Sequence, residues 1–334
     1  MSLVTSTTKI NWADADRDYK KGQNLIRKGD WANGFKLHEL RSLPDAFWNP
    51  NAKFPGVKNN FDRAAVWMPG TSIRGRSVII WSEAGWGDMI QFSRFIPMIK
   101  QLTNEVFCVY PDEIAPLLRR MDPKLEFSKS PRDCPPSTYR VKMMSMPYLL
   151  MEHGLIKPEP AERWYGSEGL YRNPDIAAPK RKKPLVGIFY NTSNQSWNMA
   201  AKQIPKDIVD DFVSRHPEID FVSLQVGEGF LDTFKWVDTA DKIQTLDAVI
   251  SVDSAIAHCA ASVGVRTINL IGDETMACWR WYPVGETTYW YDHMTTVWWD
   301  NYKDWDTGLE KAVSYLAVEA PAPKKRGRPK KSMV

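Results

Sequence analysis

Residues 251–258, Ser251-Val252-Asp253-Ser254-Ala255-Ile256-Ala257-His258, decide how this chain is read. Leu246, Ala248, Val249 and Ile250 lead into them and, with Val252, make a nearly unbroken apolar run rich in β-branched residues. Such a run predicts a strand buried on both faces. Asp253-Ser254 follows at once, and either is a good helix N-cap. Ala255, Ile256, Ala257, Cys259, Ala260 and Ala261 then predict a helix of small residues that Gly264 stops. A strand running into a helix N-terminus presents unpaired N–H groups and a positive dipole end, a seat for phosphate. His258 lies one turn after Ser254, on the same face. An ordinary β-α turn with a capping serine and a hydrogen-bonded histidine would use the same residues, so both readings stand at this point.

The pattern repeats outward from that turn. Strands are predicted at Leu185–Tyr190, Phe221–Leu224 and Arg266–Gly272, with helices through Ile208–Val213 and over 302–318. A polar loop, Asn191–Ala201, precedes Lys202-Gln203-Ile204-Pro205, and Gln225 opens a glycine-rich loop with Gly227, Glu228 and Gly229. In the first half, strand Ser77–Trp81 enters Ser82-Glu83-Ala84-Gly85-Trp86-Gly87-Asp88, and one helix is expected from Met89 to Ile99. Gly85 and Gly87 allow a sharp turn and close backbone approach, and Asp88 at the helix start is stabilised by the N-terminal N–H groups. Capping alone explains Asp88. It does not explain two glycines, the acid Glu83 before them, and polar Gln91 and Arg94 in an otherwise apolar helix. Further elements are a strand at Val106–Tyr110, a short helix near Ile114–Arg120, a strand at Leu125–Phe127 and a helix from Met143 to Leu150.

Alternating strands and helices in both halves predict an α/β chain of two doubly wound parallel sheets, with ligands outside the carboxyl ends of the strands. The Gly85–Asp88 turn, the loops at 191–202 and 225–229 and the Asp253–His258 turn all lie at such ends, so the active site is expected between the two domains. Residues 13–41 read as a helix pair broken at Gly29-Asp30, a helical cap on the domain that follows. The expected divisions are a cap and loop over 1–66, a first domain over 67–175, a second over 176–320 and a basic tail over 321–334.

Composition bounds the reading. The chain has 334 residues, 43% hydrophobic and 25% charged, which are globular values. No apolar run is long enough for a membrane span, and the opening residues have no apolar core of a secretory signal, so a cytoplasmic protein is expected. The four cysteines are far apart and form no Cys-x-x-Cys pair, so neither disulfides nor a metal site are expected. The net charge of +4 belongs to the tail: without its six basic residues, 38 basic face 40 acidic residues.

Taken together, Glu83-x-Gly85-x-Gly87-Asp88-x-x-Gln91-Phe92-x-Arg94 resembles the opening signature of GT-B glycosyltransferases of the heptosyltransferase-like group associated with tetratricopeptide repeats. Gly29-Asp30-Trp31 through Glu39-Leu40-Arg41 resembles the last helical repeat of such proteins. Met144-Ser145-Met146-Pro147, Ser223-Leu224-Gln225, Ile250–Ser254 with His258, and Trp279-Arg280-Trp281 follow in the family's order. The resemblance covers roughly residues 20–310 and implies a GT-B fold of two facing Rossmann-like domains. It implies a nucleotide-sugar donor on the second domain, its diphosphate on Asp253-Ser254 with His258 in support. Lys202 would meet the leaving diphosphate, and Gln225 and Glu228 the base or ribose. The acceptor would lie on the first domain, near Glu83, Gly85, Gly87, Gln91 and Arg94, with Asp88 as general base. Members of this type invert the anomeric centre and need neither metal nor cofactor.

Pro323–Lys331, with Arg326-Gly327-Arg328-Pro329 at its centre, resembles an AT-hook. Arginines are drawn to the narrow minor groove of A·T-rich DNA, glycine permits close approach and proline keeps the core extended. A sugar transferase with such a tail points to DNA as acceptor, through a hydroxylated base as in bacteriophage genomes; a glycan or protein is the alternative. A methyltransferase would fit Val78–Gly87 but leaves the second half unexplained. A non-catalytic DNA-binding protein would not need Asp88, Lys202 and Asp253-Ser254. An NAD enzyme is disfavoured by Ile90 where a third glycine should stand.

Overall fold

The computed structural model describes residues 12–42, 64–157 and 169–316, apart from positions 104, 131–132, 135, 138, 178–179, 193–198, 234 and 283–284. Strands β1 (Ala65–Val66), β2 (Val78–Trp81), β3 (Val106–Val109), β4 (Glu126–Ser128) and β5 (Tyr139–Lys142) form one parallel sheet in the order β1-β5-β2-β3-β4. Strands β6 (Leu185–Phe189), β7 (Asp220–Ser223), β8 (Ala248–Val252), β9 (Arg266–Gly272) and β10 (Met294–Trp298) form a second, in the order β10-β9-β8-β6-β7, also parallel. Helices α1 (Trp12–Arg27) and α2 (Trp31–His38) precede the first sheet. Its connections are α3 (Trp86–Phe92), α4 (Ile96–Leu102) and α5 (Ala115–Leu118), and α6 (Met146–Glu152) follows β5. In the second lobe α7 (Lys206–Arg215), α8 (Trp236–Gln244) and α9 (Ala255–Ser262) join successive strands, and α10 (Trp305–Leu316) closes it. The α/β fold of two doubly wound sheets is therefore as the sequence predicts. Chain order reverses between β2 and β5 in the first lobe and between β6 and β8 in the second, the points where such sheets bind ligands.

The element that decides the reading forms for the expected reasons. All five residues of β8 are buried, between β6 and β9. Ala257, Cys259, Ala260 and Ala261 of α9 are fully buried, and their small size lets the helix lie close on the sheet while α3 packs against it. Gly264, at φ +84°, ends α9: its N–H reaches Ala261 O at 3.1 Å and Val265 N reaches Ala260 O at 3.0 Å, a Schellman motif.

The helix expected unbroken from Met89 to Ile99 is split by a 3-10 turn at Ser93–Phe95. Pro97 has no N–H to continue the ladder, and its ring would strike the carbonyl four residues back. Ser93 Oγ caps the break by donating to Met89 O. Strands β1, β5 and β10 and helix α8 carry no clear apolar run of their own and were not foreseen. The parallel neighbours β2 and β9 supply the pairing that β5 and β10 need.

The helix pair caps both lobes, not only the domain that follows it. Gly22 and Gly34 let α1 and α2 approach closely: a Cβ on Gly34 would come within 2.6 Å of Ile26 Cγ1. Toward the first lobe, Arg41 donates to both Glu83 oxygens, at 2.6 and 3.1 Å, and Ser145 Oγ donates to Glu39 at 2.7 Å. Toward the second, Trp31 packs on Tyr289 and Trp290, Phe35 on Trp279, and the Arg27 guanidinium lies 4.6 Å from the Tyr282 ring centre. One continuous apolar core consequently runs from the first sheet through the cap into the second lobe. No helix among the described residues is long and apolar enough to cross a membrane.

Candidate active site

The carboxyl end of β2 leads into the Ser82–Asp88 turn. Ala84, not a glycine, takes the left-handed conformation here, at φ +63°, and Gly85 is extended at φ −95°. A non-glycine residue held in that region is strained, and such strain collects at functional turns. Gly87 is required for a different reason than turning: a Cβ on it would come within 2.6 Å of His258 Cδ2 and 3.4 Å of Ala255 Cα. The starts of α3 and α9 thus press together across the two lobes. Asp88 stands at the third position of α3, where its Oδ2 accepts from Gly85 N at 3.0 Å. Its Oδ1 accepts from Arg280, on the 3-10 turn Trp279–Trp281 of the second lobe.

On the second lobe Asp253 follows β8, and Lys202, at the end of the 3-10 turn Met199–Lys202 between β6 and α7, reaches its carboxylate at 3.0 Å across the reversal of strand order. Burial works against the Asp253 charge, but Lys202 and then Arg280 more than offset it, and the carboxyl lies below its ordinary range. Ser254 caps α9 through Ala257 N at 3.4 Å and lies 2.9 Å from Ser251 Oγ. His258 is fully buried, stacked on Trp281, with Nδ1 2.7 Å from the Tyr291 hydroxyl. Burial first, and Arg280 next, push its pKa down to about 3, so the ring is neutral. A neutral ring held this way positions its neighbours; it is not poised to exchange protons near pH 7.

The structure therefore brings Asp88, Arg280, Asp253, Lys202, Ser254 and His258 to one junction between the lobes. Gln225 and Glu228 form a neighbouring group. Gln225 Nε2 donates to Asn191 O at 3.0 Å, and the Tyr190 hydroxyl donates to Glu228 at 2.7 Å. Asn191 bridges to Gln203, beside Lys202, so the two groups share one loop. Between Gln225 and Gly227, Val226 is the large apolar side chain left exposed among the described residues, at 47%.

Three expected cleft residues take other roles. Glu83 is occupied by Arg41 and by Met144 N at 3.0 Å, and ties the helical cap to the first sheet's reversal point. Gln91 is fully buried, and neither atom of its amide has a hydrogen-bond partner among the described residues. Arg94 is buried too; it donates to Gln91 O at 2.6 Å and Trp290 O at 2.5 Å and lies over the Tyr291 ring. Arg94, a charged side chain in an otherwise apolar helix, fastens the first lobe to the second. Arg280 is the site residue that was missed, because only the fold carries it to Asp88. Residues 193–198 of the polar loop, and the tail with Arg326, Gly327, Arg328 and Pro329, lie outside the described residues.

A cavity of about 360 Å³ opens on the first lobe at the carboxyl ends of β2, β3 and β4, lined by Trp81, Ser82, Tyr110, Pro111, Asp112 and Lys129. It adjoins the start of the turn that carries Asp88. The described residues contain no cluster of three His, Cys, Asp or Glu able to hold a metal.

Residues 237–303 match the sequence model of glycosyltransferase family 9 (heptosyltransferase). That stretch lies in the second lobe and holds Asp253, Ser254, His258 and Arg280. Among solved structures, the chain is similar to the iron-containing dodecameric glycosyltransferase TibC from enterotoxigenic E. coli H10407, at 15% identity and a TM-score of 0.44, over 60% of this chain and 59% of that one. The family 9 glycosyltransferase from Veillonella parvula DSM 2008 is 11% identical over 75% of this chain and 93% of that one, at a TM-score of 0.45. E. coli heptosyltransferase WaaC, solved with ADP-2-deoxy-2-fluoro heptose, is 9% identical over 72% of this chain and 100% of that one, at a TM-score of 0.46. The chain spans about 59% of the length of TibC. No curated protein matches it.

Proposed function

We propose that this protein is an inverting glycosyltransferase that moves a sugar from a nucleotide diphosphate onto an acceptor hydroxyl without a metal ion. The observation that carries this reading is the pairing of Asp88, from one lobe, with Arg280 of the other, beside the Lys202–Asp253 pair at the start of α9, with Asp253, Ser254 and Arg280 inside the stretch that matches glycosyltransferase family 9. The donor's diphosphate rests on the first N–H groups of α9 and the Ser254 hydroxyl. Lys202, steadied by Asp253, supplies the positive charge. Gln225 and Glu228 take the ribose or base, and Val226 offers a flat apolar contact to the base.

The acceptor enters from the cavity at the carboxyl ends of β2, β3 and β4. Asp88 takes the proton of its hydroxyl as the oxygen bonds to the anomeric carbon. The bond from that carbon to the diphosphate oxygen breaks, and its electron pair leaves with the diphosphate, whose charge Lys202 and the helix dipole stabilise. Attack opposite the leaving group inverts the anomeric centre. For the acceptor we favour a hydroxylated base in A·T-rich DNA, on the strength of Arg326-Gly327-Arg328-Pro329. A methyltransferase gives no use for the second sheet's phosphate seat.

A panel of nucleotide sugars tested by thermal shift checks the donor, with Lys202→Met as control. One sugar nucleotide should raise the unfolding temperature of the wild type and not of the variant; no response to any of them would remove the reading. Mass spectrometry of hydroxymethylated duplexes after incubation with the donor found in this way then tests the acceptor.

A further inference from the structure

Arg280 uses part of its hydrogen-bonding capacity. One terminal nitrogen pairs with Asp88, whereas Nε is buried without a partner among the described residues. A guanidinium carries five N–H donors in a flat fork suited to paired oxygens of carboxylate or phosphate.

The turn beneath it is fixed. Trp290 Nε1 donates to the Arg280 carbonyl at 2.7 Å, and Trp281 N to Cys278 O at 3.1 Å. The Trp279 ring packs edge-on against Phe35, 6.0 Å between centres, and against His38 at 5.2 Å. The backbone is held, so side-chain rotation is the freedom left to the guanidinium. It also lies near enough to the start of α9 to lower both Asp253 and His258. Arg280 thus stands between the first lobe's carboxylate and the second lobe's phosphate seat.

We propose that Arg280 serves two anions in turn, the Asp88 carboxylate and the donor's diphosphate, and that its move from the first to the second frees Asp88 to take the acceptor's proton. This rests on the donor reading given above. A diphosphate carries more charge than one carboxylate and offers paired oxygens to the fork, so it competes for Arg280 when it reaches the α9 N-terminus. With Arg280 on Oδ1 and Gly85 N on Oδ2, both oxygens of the Asp88 carboxylate are engaged, and the departure of Arg280 leaves Oδ1 open to the acceptor's hydroxyl. In the transfer step the acceptor proton passes to Asp88. The new bond forms at the anomeric carbon, and the electron pair of the broken bond goes to a diphosphate now held by Arg280 and Lys202. Proton abstraction is thereby tied to the presence of the donor.

The test is a double-mutant cycle on binding, which needs no acceptor. Dissociation constants of ADP, GDP and UDP are measured by calorimetry for the full-length wild type, Asp88→Asn, Arg280→Gln and the pair. Arg280→Lys is a second variant, in case glutamine disturbs the turn. Asp88→Asn releases Arg280 from its competitor, so it should tighten the preferred diphosphate about tenfold, and Arg280→Gln should weaken it by a similar factor. In the Arg280→Gln background the gain from Asp88→Asn should vanish, and Arg280→Lys should fall between wild type and glutamine. A gain that persists without Arg280 reports plain repulsion by Asp88 and overturns the proposal while leaving the donor reading intact. Failure of all three diphosphates to bind the wild type overturns the donor reading and this proposal with it.

Discussion

The Gly87 backbone of the first lobe lies directly against the His258 ring of the second, where a Cβ would come within 2.6 Å of Cδ2. This contact sets how near the Asp88 turn comes to the α9 N-terminus, and it involves a histidine clamped between Trp281 and Tyr291.

Gly87→Ala should therefore push the lobes apart. Overpacking of this kind costs about 1–3 kcal/mol, so the unfolding temperature should fall and transfer should fall with it. Gly85→Ala is the control: its Cβ would meet only Asp88 Oδ2 at 3.6 Å, and its φ of −95° suits alanine. Denaturant unfolding of both variants checks the contrast.

Asp88→Asn should abolish transfer, by about 10²–10⁴-fold for a lost general base, while the α3 start is retained because an amide oxygen can still accept from Gly85 N. Equal turnover in the variant, measured with the identified donor, would remove Asp88 as the base.

Lys202→Met leaves the Asp253 carboxylate buried and unpaired. Breaking one half of such a pair costs about 3–5 kcal/mol, so this variant should be markedly less stable. Lys202→Met with Asp253→Asn should recover much of the loss while still binding donor weakly. Chemical denaturation separates the two effects from ligand binding.

Acid should destabilise the protein earlier than its carboxylates alone would require. His258 titrates near 3 in the folded chain and His38 well below its usual value, burial being the first cause for both. Each takes up its proton more readily when unfolded. The stability they contribute is full above about pH 6.5 and is lost as pH falls toward their folded values, at up to about 1.4 kcal/mol per pH unit for each ring. His258→Gln should flatten that slope in unfolding curves between pH 6.5 and 4.

Trp31→Ala should cost about 3–5 kcal/mol, the usual penalty for emptying a buried tryptophan site. It should also loosen the second lobe, because Trp31 packs on Tyr289 and Trp290 there. Hydrogen exchange should rise around 279–291 as well as in the cap. Exchange confined to the cap would mean that the helix pair braces only one lobe.

The local signals in the chain were enough for the β8–α9 turn, for most strands, and for the alternation that makes two parallel sheets. Buried parallel strands announce themselves as apolar runs, and Asp253-Ser254 before small residues announces a helix start. The elements missed, β1, β5, β10 and α8, are short, polar or mixed stretches whose shape comes from their neighbours. Asp253 and Ser254 stand out as candidates because they follow directly on β8, whereas Lys202, on the 3-10 turn before α7, is singled out by the family resemblance. Gln91 and Arg94 misled because a polar residue in an apolar helix can face solvent, a ligand or another lobe, and sequence spacing does not distinguish the three.

What the sequence by itself determined is the parallel two-sheet architecture and the turns that end its strands, because hydrophobic period and capping act within a few residues. What only the tertiary structure decided is the company those turns keep: Gly87 on His258, Arg280 on Asp88, and a helix pair spanning both lobes. Those contacts join residues as far apart in the chain as Trp31 and Trp290, where pairing depends on packing that no local pattern records.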